Sequence, residues 1–441
     1  MKRLVISRLF KETSWSVLLK IFHALCSFLI TVILARKLGP KGYGIYAYAY
    51  AFVTLFSVPL QAGLPPLVVR ETAKNIAKNR PDFVLGVWRW ATQIAIFISL
   101  IFVLIAFSVL FFLKDWKFDL ELQTFLWAFL LVPISSLGNL RGAALRGLRK
   151  VLIGQIPEFL FRPLLFLLFL SVEIFILSRK VTPPNAMALN VMASLFAFLI
   201  GTWFLWRALE SLNFSNVKPS FAYREWLLSL FPLAFIAGMW VINSQTDIVM
   251  LRFFESPFHV GIYRVAIQMA LFSSFALQAV NMVVAPRFAF IYARSEMEKL
   301  QNLAIKASCL VFVFSFVVAV FFAFYGKNFL VLVFGKSFSL AYVPLLILLL
   351  GQLVNSMVGS VGMLLNMTGY EKDTALGLAI SAVLNVLLNL ILIPKFSMAG
   401  AAAATSISMI VWNLLLWCLV WKRLGIDSSV FRLFLIRNGQ N

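Results

Sequence analysis

Residues 35–46, ARKLGPKGYGIY, have a counterpart in the second half of the chain at residues 251–263, LRFFESPFHVGIY. The shared triplet GIY ends at Tyr46 and at Tyr263, an offset of 217 residues. Two further matches keep the same register: LQA at 60–62 with LQA at 277–279, and Arg70 with Arg287. Matches of this kind in one register predict an internal duplication.

The composition excludes a water-soluble globular protein. Of 441 residues, 62% are hydrophobic and 13% are charged, and the mean hydropathy is +0.93. Soluble domains are about 45–50% apolar and about 25% charged. The apolar runs are long enough for helices of about 20 residues that cross a bilayer, whereas outer-membrane strands would alternate apolar and polar residues. We therefore expect an all-α, polytopic membrane protein.

The apolar runs predict about twelve transmembrane helices, because only helices or closed barrels satisfy their backbone in lipid. The expected spans are 14–38, 43–65, 90–113, 122–140, 151–177, 185–206, 227–251, 265–286, 307–325, 342–367, 375–394 and 398–421. The repeat unit then holds six spans, so two six-helix lobes are related by an axis along the membrane normal. We place the N-lobe at residues 1–215 and the C-lobe at residues 216–441.

The net charge of +22 arises from 39 Lys and Arg residues against 17 Asp and Glu residues. Most of the basic residues fall in one set of alternate loops, which includes both termini. Since basic loops stay on the cytoplasmic side, we expect both termini of this multi-pass protein in the cytoplasm. The excess charge indicates contact with anionic lipid, and no nucleic-acid partner is expected.

Several stretches resemble the polysaccharide-export flippases, the Wzx-type or O-antigen translocases of lipid-linked repeat units. These are ARKLGPKGYGIYAYAYAFVTLFSVPLQAGLPPLVVRETA (35–73), VFGKSFSLAYVPLLILLLGQL (333–353), LLNMTGYEKDT (364–374) and LILIPKFSMAGAAAATSIS (390–408). The resemblance covers nearly the whole chain and implies membership of the multidrug/oligosaccharidyl-lipid/polysaccharide flippase superfamily. It further implies that an undecaprenyl-pyrophosphate-linked oligosaccharide crosses the cytoplasmic (inner) membrane by alternating access. The implied partners are that glycan lipid, membrane lipids and other membrane proteins of glycan assembly.

Seven cations are candidates for binding the pyrophosphate, because an ionisable group within a span is unfavourable unless it is paired or faces water and is a functional candidate by default. They are Lys20, Arg36, Arg70, Arg162, Arg252, Arg264 and Arg287. Each also has a structural alternative. Lys20 can extend to the cytoplasmic surface, and Arg162 can form an ion pair with Glu158 one turn away. The remaining five can be ordinary loop or topology charges. Pro157 and Pro163 predict a kink beside Arg162.

Asp247 is the candidate ion-coupling residue. It is an acid within the seventh span, set in the polar run NSQTD at 243–247. One interpretation is a hydrogen-bonded acid or an ion pair with Arg252 or Arg264; the other is a carboxylate that exchanges a proton or a sodium ion. Export driven by the membrane potential alone stays open beside antiport.

Two other functions are weighed against the flippase. A cation or drug antiporter needs buried acids that bind cations, and the first span has none. A non-transporting membrane scaffold of envelope assembly is the second alternative. The sequence has no GxxxxGK[ST] pattern for ATP hydrolysis and no nucleophile–base arrangement. We therefore expect no enzyme, no cofactor and no metal site.

Overall fold

The computed structural model describes residues 2–58, 63–112, 119–210 and 217–432, and within these ranges the regular structure is entirely helical. The α-helices are α1 Lys2–Phe56, α2 Leu64–Ala77, α3 Pro81–Phe112, α4 Leu120–Gly147, α5 Val151–Ile156, α6 Arg162–Ser171, α7 Pro183–Glu210, α8 Tyr223–Phe254, α9 Pro257–Ala293, α10 Met297–Phe334, α11 Tyr342–Val358, α12 Val361–Met367 and α13 Glu371–Leu424. The repeated LQA at 60–62 and the last residue of the predicted span 90–113 lie outside the described residues.

Twelve membrane-spanning segments are confirmed in the described ranges. Ten helical segments are long and apolar enough to cross a bilayer, and two of them are interrupted. Helix α1 breaks at Gly39, with φ 66° and ψ 176°. Helix α13 breaks at Ser397, with φ 50° and ψ −129°. Each break therefore divides one long helix into two spans, at the positions where the hydropathy pattern separates them.

The fifth span is continuous through its prolines but changes its winding. Helices α5 and α6 are joined by a π-helical turn at Pro157–Phe161, and a second one, Val172–Ile176, follows α6. A proline lacks the N–H that an α-helical turn needs, and the chain accommodates it here with the wider turn. Such turns are rare and occur frequently at functional sites.

The tenth span departs from the expected uninterrupted helix over 342–367. Helix α11 ends at Val358, and Gly359 adopts φ 73° and ψ −140° before α12 begins. The Val430 N–H donates to the Met357 carbonyl over 3.0 Å, and the Ser428 hydroxyl donates to the Val358 carbonyl over 3.1 Å. The segment after α13 thus satisfies the carbonyls that the break leaves without helical partners.

Gly359→Ala should be strongly destabilising, because it combines backbone strain with a steric overlap. A side chain at φ 73° is strained, and its Cβ would overlap the Ser308 hydroxyl. Gly369 is the matched control, since φ is 88° there and no atom lies within 4 Å of an added Cβ. We expect about 1–2 kcal/mol from strain at Gly369→Ala, and about 1–3 kcal/mol more at Gly359→Ala. Thermal unfolding of the purified protein in detergent compares the two, and equal stability losses would contradict the overlap.

The chain forms two compact units, Met1–Val241 and Ile242–Asn441. In the first unit a core cluster joins α2, α3, α4 and the start of α8, where the Trp90 and Trp226 rings lie 5.3 Å apart. In the second, Phe288, Leu300 and Leu365 belong to a core cluster of α9, α10, α12 and α13. Helix α8 contributes to both units, so the lobe boundary at 215/216 stays a prediction.

Candidate functional site

The two repeated tyrosines each enter a buried polar network in their own unit. Tyr46 is 8% exposed and Tyr263 is 0% exposed. Tyr46 contacts Asn190 on the sixth span. Tyr263 contacts Asp247, which in turn contacts Thr405 on the twelfth span. Both matched tyrosines thus belong to buried polar networks, and these networks carry opposite charge.

The network of the first unit is called the cationic cluster here and consists of Tyr46, Arg141, Glu158, Arg162 and Asn190. Glu158 lies between the two arginines, with its Oε1 3.6 Å from Arg141 Nη2 and its Oε2 3.7 Å from Arg162 Nη1. Arg162 Nη2 donates to Asn190 Oδ1 over 3.4 Å. Asn190 Nδ2 donates to the Tyr46 hydroxyl over 2.9 Å. The predicted ion pair between Glu158 and Arg162 is confirmed.

The sequence interpretation missed Arg141, because the expected spans 122–140 and 151–177 leave residues 141–150 in a loop. Instead α4 continues to Gly147, and the Arg141 side chain is only 4% exposed. Its Nη1 donates to the carbonyls of Ala197 and Phe198 over 3.3 Å and 2.5 Å. The signal in the sequence is the run of small residues after Arg141, Gly142 to Ala144, which is typical of a helix that packs closely against another.

Gly201 on α7 makes the position of Arg141 possible. A Cβ at this residue would overlap the guanidinium of Arg141, so the close approach of the charged group to α7 requires glycine. Gly138 has a similar role on the other side of the cluster, where an added Cβ would lie 2.8 Å from Glu158 Oε1. The cationic cluster therefore occupies space that two glycines leave between the helices.

The other six predicted cations are placed as follows. Lys20 is half-buried on α1, Arg36 is exposed before the Gly39 break, and Arg252 and Arg264 are half-buried on α8 and α9. Arg252 Nη1 donates to the Glu255 carbonyl over 3.5 Å. The repeat-related Arg70 and Arg287 are both exposed, in separate units, and Arg70 Nε donates to Glu71 over 3.2 Å. Their substrate role stays a prediction.

The network of the second unit is called the acidic cluster here and is centred on Asp247, which is 3% exposed. Asp247 Oδ2 accepts hydrogen bonds from the Tyr263 hydroxyl over 2.8 Å and from the Thr405 hydroxyl over 3.1 Å. Asp247 Oδ1 accepts from the Ile248 N–H over 3.0 Å. Of the structural alternatives, the structure therefore shows a hydrogen-bonded acid.

The acidic cluster continues along α13 through asparagines. Asn385 Nδ2 lies 3.5 Å from Thr405 Oγ1 and 3.3 Å from Ser408 Oγ. Asn389 Nδ2 donates to Asn385 Oδ1 over 3.0 Å. Hydroxyl and amide groups thus extend the hydrogen-bond network outward from the Asp247 carboxylate. Among the described residues there is no group of three or more His, Cys, Asp or Glu side chains that could hold a metal ion.

Comparisons with solved structures identify the fold. The lipid II flippase MurJ in an inward closed conformation has a TM-score of 0.70 at 14% identity, over 96% of this chain and 92% of that chain. An inward-facing multidrug resistance MATE family transporter of the MOP superfamily has a TM-score of 0.69 at 13% identity, over 91% of this chain and 94% of that chain. At these identities the likeness shows the fold alone.

Sequence comparison identifies the family. The chain is 24% identical over 401 residues to a probable low-salt glycan biosynthesis flippase, Agl15, of Haloferax volcanii, which covers 89% of this chain and 79% of the relative. Residues 9–292, more than half of the chain, match the family described as polysaccharide biosynthesis protein. This match shows that the chain belongs to the polysaccharide biosynthesis protein family.

Proposed function

We propose that this protein is a flippase that moves an undecaprenyl-pyrophosphate-linked oligosaccharide repeat unit across the cytoplasmic membrane by alternating access. The observation that carries the proposal is the cationic cluster, in which Arg141 and Arg162 lie on either side of the single carboxylate Glu158. The similarity to the probable low-salt glycan biosynthesis flippase Agl15, over most of the length of that relative, supports a glycan-linked substrate. Both termini then lie in the cytoplasm.

The sign of the buried charge favours a phosphate-bearing substrate over a cationic drug. Within the described side chains of the cationic cluster, two arginines face one glutamate. Hydrogen bonds from arginine to phosphate are charge-assisted and about twice as strong as neutral ones. A cationic drug would instead be repelled from this cluster. The acidic cluster of the second unit offers one carboxylate, Asp247, which we assign to ion coupling if transport is coupled at all.

The six predicted cations outside the cationic cluster are proposed to receive and release the pyrophosphate. Arg70 and Arg287 occupy equivalent positions in the repeat and both side chains are exposed. We assign them to one end of the pathway, and Arg36, Arg252 and Arg264 to the other. Lys20, half-buried on α1, is proposed as a further cation of the same pathway.

Arg70→Ala combined with Arg287→Ala should lower the translocation rate of the lipid-linked oligosaccharide by about tenfold or more, since each lost contact to phosphate is charge-assisted. The matched control is lysine at both positions, which keeps the charges and should retain most of the rate. The measurement is translocation by the purified protein in proteoliposomes. A wild-type rate in the double-alanine variant would remove these two arginines from the pathway.

A further inference from the structure

The cationic cluster is one negative charge short of neutrality. Counting its described side chains, Arg141 and Arg162 carry two positive charges and Glu158 carries one negative charge, while Asn190 and Tyr46 are neutral. An unpaired charge inside a membrane-spanning unit is unfavourable by several kcal/mol. This excess is therefore expected where the site receives an anion during its working cycle.

Glu158 forms ion pairs with Arg141 and Arg162 but does not accept a hydrogen bond from either. Its oxygens lie 3.6 Å and 3.7 Å from the two guanidinium groups, which is beyond the usual hydrogen-bond range of about 2.7–3.2 Å. Arg141 Nε and Nη2 are buried and make no hydrogen bond within the described part of the chain, although a guanidinium has five N–H donors. Donors without acceptors thus remain on a side chain that is 4% exposed.

The cluster is more accessible at its Arg162 side. The side chains of Glu158 and Arg162 are 23% and 20% exposed, compared with 4% for Arg141. Glu158 also belongs to the π-helical turn Pro157–Phe161, which places it at the least regular part of the span. An incoming anion would therefore meet Arg162 and Glu158 first, and Arg141 would complete the site from the interior.

We propose that Arg141 and Arg162 form a binding site for a phosphate-type anion, and that the Glu158 carboxylate occupies this site when no ligand is bound. A phosphate group offers several acceptor oxygens to the fork of each arginine, whereas one carboxylate bridges the pair without hydrogen-bonding either. The inference rests on the proposed function, because it identifies one contact of the same substrate. The anion is the pyrophosphate of a polyprenyl lipid or the headgroup of an anionic phospholipid.

The test is lipid binding to the purified full-length protein in detergent, measured by native mass spectrometry. Three probes are used: undecaprenyl pyrophosphate, phosphatidylglycerol and the uncharged undecaprenol. Glu158→Gln removes the competing charge and is expected to bind undecaprenyl pyrophosphate about tenfold more tightly than the wild type. Glu158→Asp keeps the charge on a shorter side chain, should preserve folding more securely, and is expected to show a smaller gain.

Two further variants separate the site from a general effect of charge. Adding Arg141→Lys to Glu158→Gln should abolish the gain, because lysine lacks the guanidinium fork. Glu173→Gln is the matched control: Glu173 is a buried acid in the later π-helical turn of the same span, outside the cationic cluster. Its binding of undecaprenyl pyrophosphate should equal that of the wild type.

The outcomes distinguish this inference from the proposed function. A gain for undecaprenyl pyrophosphate alone supports the substrate as the anion, and an equal gain for phosphatidylglycerol supports the same site with membrane lipid as its source. Wild-type affinity in both Glu158 variants, or an equal gain for undecaprenol, overturns the inference while the proposed function stands. If the wild-type protein binds no undecaprenyl pyrophosphate, the proposed function itself is contradicted.

Discussion

Gly201→Ala is expected to lower the free energy of unfolding by about 3 kcal/mol, despite the higher helix propensity of alanine. The new Cβ would overlap the Arg141 guanidinium, which would have to leave the carbonyls of Ala197 and Phe198. The displaced charge would remain buried without its partners. The same variant should lose the transport that depends on Arg141. Thermal unfolding in detergent, followed by the translocation assay, measures both effects.

Two comparisons isolate the cause of this loss. Gly362 is also helical, but an added Cβ there meets only ordinary contacts, the nearest at 3.5 Å to Leu416. Gly362→Ala should therefore leave stability unchanged or slightly raised. Combining Gly201→Ala with Arg141→Met removes the guanidinium and should recover much of the stability. If the double variant were as unstable as Gly201→Ala, the overlap with Arg141 would not be the cause.

A membrane potential of 100 mV is expected to produce a large accumulation of the glycan lipid on its own. A diester pyrophosphate carries roughly two negative charges, and each charge gains about 2.3 kcal/mol per 100 mV. The total of roughly 4–5 kcal/mol corresponds to about a thousandfold ratio between leaflets. With an imposed potassium-diffusion potential and no proton or sodium gradient, we expect proteoliposome transport to follow the potential and to survive Asp247→Asn.

The acidic cluster supplies the competing outcome. Asp247 is a buried carboxylate with three hydrogen-bond donors, and an exchange of a proton or sodium ion there would couple transport to a gradient. Transport that ignored the potential and stopped in Asp247→Asn would establish antiport. Asp373→Asn is the control. Asp373 lies at the start of α13, accepts a hydrogen bond from Arg423 and lies outside the acidic cluster. This variant should leave both responses unchanged.

The sequence was sufficient for the spans and for the local ion pair, but insufficient for the cluster. Hydropathy separates the spans correctly because lipid imposes a fixed length on each helix. The Glu158–Arg162 pair follows from helical spacing within one segment. Arg141 could not be assigned from its own neighbourhood, because Gly201 and the carbonyls that hold it belong to another helix. The same limit applies to Thr405 and Tyr263, which reach Asp247 from separate helices.

The break at Gly359 was missed for a similar reason. The run 342–367 is continuously apolar, so its composition indicates one uninterrupted helix. The break depends on two contacts. The Ser308 hydroxyl packs against Gly359, and the Val430 N–H donates a hydrogen bond to the Met357 carbonyl, which the break leaves without a helical partner. Both partners are distant in sequence. Glycine at this position was compatible with either conformation, and only the tertiary contacts decide between them.

We propose above all that this chain moves a phosphate-linked glycan lipid between leaflets. The most direct test reconstitutes the purified protein in proteoliposomes with a fluorescent undecaprenyl-pyrophosphate oligosaccharide and adds a membrane-impermeant quencher outside. We expect wild-type protein to expose the lumenal pool to the quencher. We expect Arg162→Ala, which removes the accessible arginine of the cationic cluster, to leave that pool protected. The contradicting result has two parts. The protected pool would be as large with wild-type protein as in protein-free liposomes, and the protein would move a cationic dye instead.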